Sequence, residues 1–303
     1  MKGGVDYITD VVVHTTEFLE GPDHVHVMRI DLSSDLWVGK LNEEIAEAVF
    51  DGCEPMGQMT KKAPRQFGQL YAFVRDPAPV EPLYEWDSDS RLQTCVALSR
   101  LVHPTSVSFR YAARILVRPG EEMQVIPGQV TGHGADAWVA KENHRDYLTN
   151  DDLVVLRQLM TGFPLELLPA RVWRALWYHE FAARIRYLDV RWTLISTALE
   201  ALVHTDRCNS TRQFTKRVPE LARELGGCEF READAKVAYD LRSSLSHGQG
   251  LVAPSKETQD IYERMETVLR QTLMRCILES EIAAIFSSDM TVRDRWPCRQ
   301  GKS

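Results

Sequence analysis

From residue 170 to residue 286 the apolar residues recur at spacings of three and four, and that rhythm constrains the fold more than any other feature of the chain. A helix turns once in about 3.6 residues, so such a stretch buries one face of each helix and must fold back on itself to do so. Trp173, Leu176, Trp177, Phe181 and Ile185 predict one buried stripe, and Trp192, Ile195, Leu199, Leu202 and Val203 continue it. One long helix or two abutting helices over 170–204 follow. Beyond a polar connection, Phe214, Val218, Leu221 and Leu225 predict the next helix, closed by Gly226 and Gly227. Pro219 is expected to start a second piece of it, since a proline has no N–H to give a helix interior. A further helix begins near 231, and Ser255 caps a last long one running to 286 with Ile261, Met265, Val268, Leu269 and Ile277 inward. Four or five helices with short links make a bundle. Residues 289–303 read as a tail, and the tryptophans read as core.

The helix from 231 ends in Tyr-Asp-Leu-Arg-Ser-Ser-Leu-Ser-His-Gly, residues 239–248. Val237, Ala238, Leu241 and Leu245 form its inward stripe, and Gly248 with Gly250 can take the left-handed conformation that stops a helix. His247 therefore belongs on the last turn or just past it. Arg242 lies five residues earlier, and five residues of ideal helix turn through about 500°, so the two side chains leave the axis roughly 140° apart. A shared site needs the arginine to reach around or the helix end to unwind. The same residues also have a purely structural reading. Arg242 can pair with Asp240, Glu232 or Glu200, and a histidine suits the negative end of a helix.

Arginine, a few arbitrary residues, then histidine on a terminal turn is the signature of the HEPN superfamily of helical ribonucleases. Upstream stand Arg184-Ile185-Arg186-Tyr187-Leu188-Asp189, Arg191-Trp192 and Ala198-Leu199-Glu200-Ala201-Leu202. In that order they make the second half of the chain resemble the Apea-like branch of that superfamily. The resemblance implies a homodimer or higher homo-oligomer in which the motif-bearing helix ends meet across a cleft, so that two subunits complete one site. It implies Arg242 on the scissile phosphate, His247 as general acid or base, Ser243 supporting the arginine, and Asp240 and Glu200 as partners behind them. Some relatives carry a modifiable tyrosine two residues past the histidine; Gln249 stands there, which sets regulation by that route aside.

The first half reads differently. Strands are expected over 24–32, 36–41, 68–74, 110–117 and 123–126, with a short helix over 42–50 and Pro64, Pro77, Pro79, Pro82, Pro104 and Pro119 marking loops. The expected class is α+β: a β-rich domain over 1–147, an all-α HEPN-like bundle over 148–288, then the tail. Thr149 or Asn150 caps the first bundle helix, with Asp151 and Asp152 at its positive end. His24 and His26 share a strand face but no third metal ligand follows them, and the glycine-rich run 128–134 lacks the ending of a phosphate loop. Neither metal nor cofactor is expected.

The 303 residues carry a formal charge of −7, which argues against indiscriminate binding to polyanions. That acidity belongs to one half. Residues 1–150 hold 14 basic and 22 acidic side chains, a net −8, whereas residues 151–303 hold 22 and 21, a net +1. RNA can therefore be accepted locally by the second half. Six scattered cysteines without a Cys-x-x-Cys pair, no apolar run of membrane-spanning length and no secretion signal point to the cytoplasm, with no membrane partner.

The chemistry this predicts needs no metal ion. The 2′-hydroxyl of RNA attacks the adjacent phosphorus, giving a 2′,3′-cyclic phosphate and freeing a 5′-hydroxyl. A histidine that titrates near neutral pH moves the protons, and a guanidinium fork holds the phosphate oxygens. The leading expectation is an endoribonuclease in stress response or antiphage defence, its first domain sensing a protein or ligand. The rivals are a non-catalytic module that binds RNA or a protein, and a dimerisation scaffold for the first domain.

Overall fold

Alternating apolar residues bury one side of a flat surface, and among the described residues of the first half six strands supply it. The computed structural model describes residues 7–14, 29–40, 71–76, 91–105, 111–117, 122–127, 148–162, 167–185, 187–206, 208–248 and 255–298. Strands β1 (Tyr7–His14), β2 (Arg29–Asp31), β3 (Leu36–Lys40), β4 (Tyr71–Arg75), β5 (Tyr111–Val117) and β6 (Gln124–Pro127) pair antiparallel in the order β2-β3-β4-β1-β5-β6. Alternation shows in β3, where Leu36 and Val38 are both buried. Across the sheet, Trp37 stands opposite Val74, Val74 opposite Val11, and Val11 opposite Ala113. The chain is therefore α+β, and β3, β5 and β6 lie where the sequence places them. The central strand β1 was not expected. Residues 24–28, the helix expected over 42–50 and the glycine-rich run 128–134 lie outside the described residues.

Helix α1 (Arg91–Val102) buries Leu92, Cys95, Val96, Leu98 and Leu101 and packs against β4. Asp35 fixes its first turn. The Asp35 carboxylate lies 3.3 Å from both Arg75 and Arg91 and accepts from the Ser33 hydroxyl at 2.7 Å. Burial alone would raise that carboxyl; the hydroxyl and the two guanidiniums outweigh it and hold it below the usual carboxylate range.

The expected boundary at 147/148 moves. Helix α2 (Asn150–Thr161) starts as foreseen, the Thr149 hydroxyl accepting from the Asp152 N–H at 3.2 Å. Its buried stripe, Leu153, Leu156 and Leu159, then packs on α1. The chain divides into Met1–Thr161 and Gly162–Ser303, so α2 belongs to the first unit. Three leucines on one face need an apolar partner, and α1 already presents one.

In the second unit every described element is helical: α3 (Ala170–Arg184), α4 (Leu188–Val203), α5 (Ser210–Leu221), α6 (Glu232–Ser246), α7 (Lys256–Leu278), α8 (Ser280–Ile285) and α9 (Asp289–Arg295). The two abutting helices of 170–204 are α3 and α4, separated by extended backbone at Ile185 and Tyr187. Four expectations need correcting. The face α3 buries is Val172, Ala175, Leu176, His179 and Ala182, whereas Trp177 and Phe181 are 37% and 45% exposed with ring centroids 5.5 Å apart. Ala175 and Ala182 let α3 lie close against its neighbours, which the tryptophan stripe would prevent. Pro219 does not begin a new piece; α5 runs through it and continues as a π-helical stretch, Ala222–Gly226. A proline inside a helix costs about 3 kcal/mol. Fully burying Phe214, Val218 and Leu221 returns roughly 1.5–3 kcal/mol each and outweighs it.

The last long helix stops at Leu278 rather than 286, because Glu279 turns extended and folds α8 back so that Ala283 and Phe286 are buried. Residues 289–296 are no tail. Ser288 caps α9, the Trp296 ring packs 5.7 Å from Phe286, and its indole N–H donates to Glu224 at 3.0 Å.

Polar contacts lock α4 in place. Trp192, fully buried beside Tyr262, donates its indole N–H to the Ala238 carbonyl of α6 at 3.1 Å. The carbonyls at the end of α4 are met by guanidiniums. Buried Arg217 donates to Val203 O at 2.7 Å and to Trp296 O at 2.9 Å, Arg293 donates to Thr205 O at 2.7 Å, and Arg171 donates to Ala201 O and His204 O.

The π-helical stretch lies close against α7. A Cβ on Gly226 would stand 3.1 Å from Val268 Cγ2 and 3.2 Å from Val268 Cα. Since backbone cannot yield as a side-chain tip can, Gly226→Ala is expected to lower stability by about 1–3 kcal/mol, read as a lower urea midpoint at unchanged slope.

Candidate functional site

Helix α6 carries the Arg242–His247 segment, and both its ends are fixed. At the start, Asp234 accepts from the Arg231 backbone N–H at 3.0 Å and from both terminal nitrogens of Arg264 on α7 at 3.2 and 3.3 Å. Burial alone would raise its carboxyl; the Arg231 backbone and side chain together with Arg264 bring it below its ordinary value. Ala235 and Ala238 are buried in the middle, while Val237, Leu241 and Leu245 of the expected stripe are half-buried. At the far end the helix persists through Ser246. The His247 N–H donates to Ser243 O at 3.1 Å, and Gly248, at φ 76°, donates to Leu245 O at 3.0 Å. The left-handed glycine stop falls where the sequence places it.

Because α6 does not unwind before its end, Arg242 and His247 keep the divergence that helix geometry dictates. Arg242 turns toward α4. Its Nη2 donates to Glu200 Oε2 at 2.6 Å, with the Glu200 side chain 9% exposed and that of Arg242 27% exposed. Among the three carboxylates the sequence offers, Glu200 is the partner. Glu232 pairs with Lys216 at 2.6 Å instead, and Asp240 is exposed. His247 is exposed on the cap. Ser243 is half-buried, and among the described residues neither it nor Asp240 bonds to Arg242. The site residues thus separate into an engaged pair, Arg242 with Glu200, and three residues that make no bond to it.

One neighbour escaped the sequence reading. The Arg242 guanidinium carbon lies over the Tyr239 ring, 5.8 Å from its centroid, and that ring packs 5.5 Å from the fully buried Phe214 of α5. The signal was present, since residues three apart share a helical face. Arg242 Nε is buried and has no hydrogen-bond partner among the described residues. Its Nη1 likewise makes no hydrogen bond among the described residues, so a charged donor remains beside a half-open surface.

A second ionic cluster is structural in character. His179 Nε2 lies 3.0 Å from Glu266 Oε1, and Arg270 Nε lies 3.3 Å from the same oxygen, inside the packing of α3 on α7. Burial would raise the Glu266 carboxyl, but Arg270 and His179 hold it down. Among the described residues no group of three or more His, Cys, Asp or Glu is placed to hold a metal ion, and His24 and His26 lie outside them. No described helix is long and apolar enough to cross a membrane.

No family model, curated protein or solved structure matches the chain. The functional reading therefore rests on the residues of α4 and α6 themselves.

Two measurements follow from this geometry. In a double-mutant cycle of Glu200→Ala and Arg242→Ala, the coupling energy is expected at about 1 kcal/mol, since a pair with one quarter-exposed member falls between surface and buried ion pairs. The second concerns pH. Asp234 has a folded value below its unfolded value of about 3.9, so its contribution is complete above that value and is lost as pH falls through the folded one. Asp234→Asn should therefore flatten the acid limb of stability against pH below about pH 4, while leaving the shape above about pH 6 unchanged.

Proposed function

We propose that the chain is an endoribonuclease of the HEPN kind, cleaving RNA by attack of its own 2′-hydroxyl. The observation that carries this reading is Arg242: a guanidinium on the last turns of a helix, held through one nitrogen by a buried carboxylate and still 27% exposed, with an exposed imidazole at the cap of the same helix. In the reaction, His247 takes the 2′-hydroxyl proton, and the oxygen bonds to phosphorus as the bond to the 5′-oxygen breaks. The departing oxygen then picks up a proton, from the same imidazole or from a second one. Arg242 offsets the charge that builds on the phosphoryl oxygens, which is worth most where water is partly excluded. The divergence of the two side chains supports a composite site in which a second copy of the chain supplies one of them. Glu200 fits the role of a positioning residue behind Arg242. The compartment we infer is the cytoplasm, the setting stress response or antiphage defence, and the first unit the sensing or restraining part.

One observation favours the second reading, a non-catalytic module binding RNA or protein. Arg242 Nη2 is already committed to Glu200, and Arg242 shares no described partner with His247.

Incubating the full chain with RNA in EDTA separates the two. Cleavage is expected to leave 2′,3′-cyclic phosphate ends and to spare DNA of the same sequence. His247→Ala and Arg242→Ala should each lower the rate by at least about 100-fold, with the urea transition showing a folded chain. RNA left uncut by the wild-type chain, and bound equally by wild type and both variants, would sink the nuclease reading.

A further inference from the structure

The Arg242–Glu200 contact is made in an unusual way. An arginine beside a carboxylate commonly sets two parallel N–H groups on its two oxygens. Here Nη2 alone reaches Glu200, at 2.6 Å, while Nε is buried and makes no hydrogen bond among the described residues. A buried N–H left unpaired is costly, so something must stop the guanidinium from swinging Nε onto the carboxylate.

The one other group described against it is the Tyr239 ring, with the guanidinium carbon 5.8 Å from the ring centroid. Tyr239 is braced in that position. It stands three residues before Arg242 on the same helix, and its ring is wedged 5.5 Å from Phe214, at an interplanar angle of 53°. Phe214 is itself fully buried. A cation over an aromatic face is drawn to the electron-rich ring, and the flat guanidinium is especially suited to it. Two elements thus fix two different freedoms of one side chain. The carboxylate from α4 holds one nitrogen of the guanidinium, and the ring, braced by α5, lies under its carbon.

We propose that Tyr239 is a positioning residue for Arg242, holding the guanidinium so that the edge bearing Nη1 and Nη2, and not the edge bearing Nε, meets an RNA phosphate. The proposal rests on the nuclease reading for its ligand. What it adds is the part of the chain that sets the angle of approach. The face of the ring carries the role and the phenol oxygen does not, so phenylalanine is an equivalent residue and leucine is not.

Two arms test this on the 303-residue chain. In the first, turnover of RNA is measured for Tyr239→Phe and Tyr239→Leu. The phenylalanine variant is expected within about twofold of wild type. The leucine variant should lose roughly tenfold or more in kcat with KM within about twofold, because the charge stays and only its alignment is lost. A general loss of fold would not spare KM, nor be rescued by phenylalanine. The second arm needs no activity. In protein labelled with nitrogen-15 at arginine, the Arg242 Nε–H resonance is identified by its absence from Arg242→Lys. It should exchange slowly with solvent, and lie upfield through the ring current, in wild type and Tyr239→Phe. Both properties should vanish in Tyr239→Leu. An Arg242 resonance unchanged in Tyr239→Leu overturns the positioning role, as does wild-type kcat in that variant. A wild-type chain that never cuts RNA strikes at the nuclease reading instead, and the resonance still decides the positioning.

Discussion

A helix end turned into the protein must satisfy its carbonyls largely without water, and in the second unit that demand falls on α4. No residue from 191 to 203 is exposed, and Leu202 and Val203 in the last turn are fully buried, so little solvent reaches that end. Guanidiniums from α3 and α5 answer it, and one from α9 meets the Thr205 carbonyl just beyond. Each opposes the negative end of the helix dipole while satisfying an orphan oxygen, and each pins another element to the same point. The demand of one helix terminus thereby gathers parts of the chain more than a hundred residues apart, Arg171 and Arg293 among them. Arg217 shows how far this goes: its guanidinium lies in the interior with neutral oxygens from Val203, Thr205, Gln213 and Trp296 around it.

The same helix presents the other half of its polar chemistry to α6. Trp192 and Glu200 are two turns apart on α4 and reach Ala238 and Arg242, one turn apart on α6. A carboxylate as buried as Glu200 needs a cation, and supplying one from α6 draws Arg242 inward by one nitrogen. The remainder of the guanidinium stays at the surface. One side chain is thus part anchored and part exposed, which separates this site from the more enclosed cluster of His179, Glu266 and Arg270.

How much of this the sequence revealed depended on how far each signal reached along the chain. Helix identity is a local property, and the spacing of Phe214, Val218, Leu221 and Leu225 located α5 because all four are buried as that period requires. The choice of face on α3 was not local. Trp173, Trp177 and Phe181 satisfy the helical period as well as Val172, Ala175 and His179 do, and only the tightness of the surrounding packing selects between them. Strand β1 was missed because Asp6, Asp10 and Glu17 made its neighbourhood read as acidic and polar, although Ile8 and Val11 to Val13 carry the β-branched signal. A central strand is defined by its neighbours, and those of β1 come from residues 71–75 and 111–117. In the site, Gly248 as the stop and Arg242 and His247 as candidates were visible in ten residues. The Glu200 contact spans 42 residues of sequence and was legible only as one of three acidic options.

The segment that looked like a loose end changes how the molecule can be handled. Trp296 covers Phe286, its carbonyl receives Arg217, and its indole meets Glu224, so the closing residues act as a plug in the helical unit. Trimming the chain at 288 would uncover an aromatic side chain and strand a buried cation together, which favours clumping over a cleaner sample. Affinity handles therefore belong beyond residue 298, and a protease that nicks the 287–289 turn would weaken the helical unit from within.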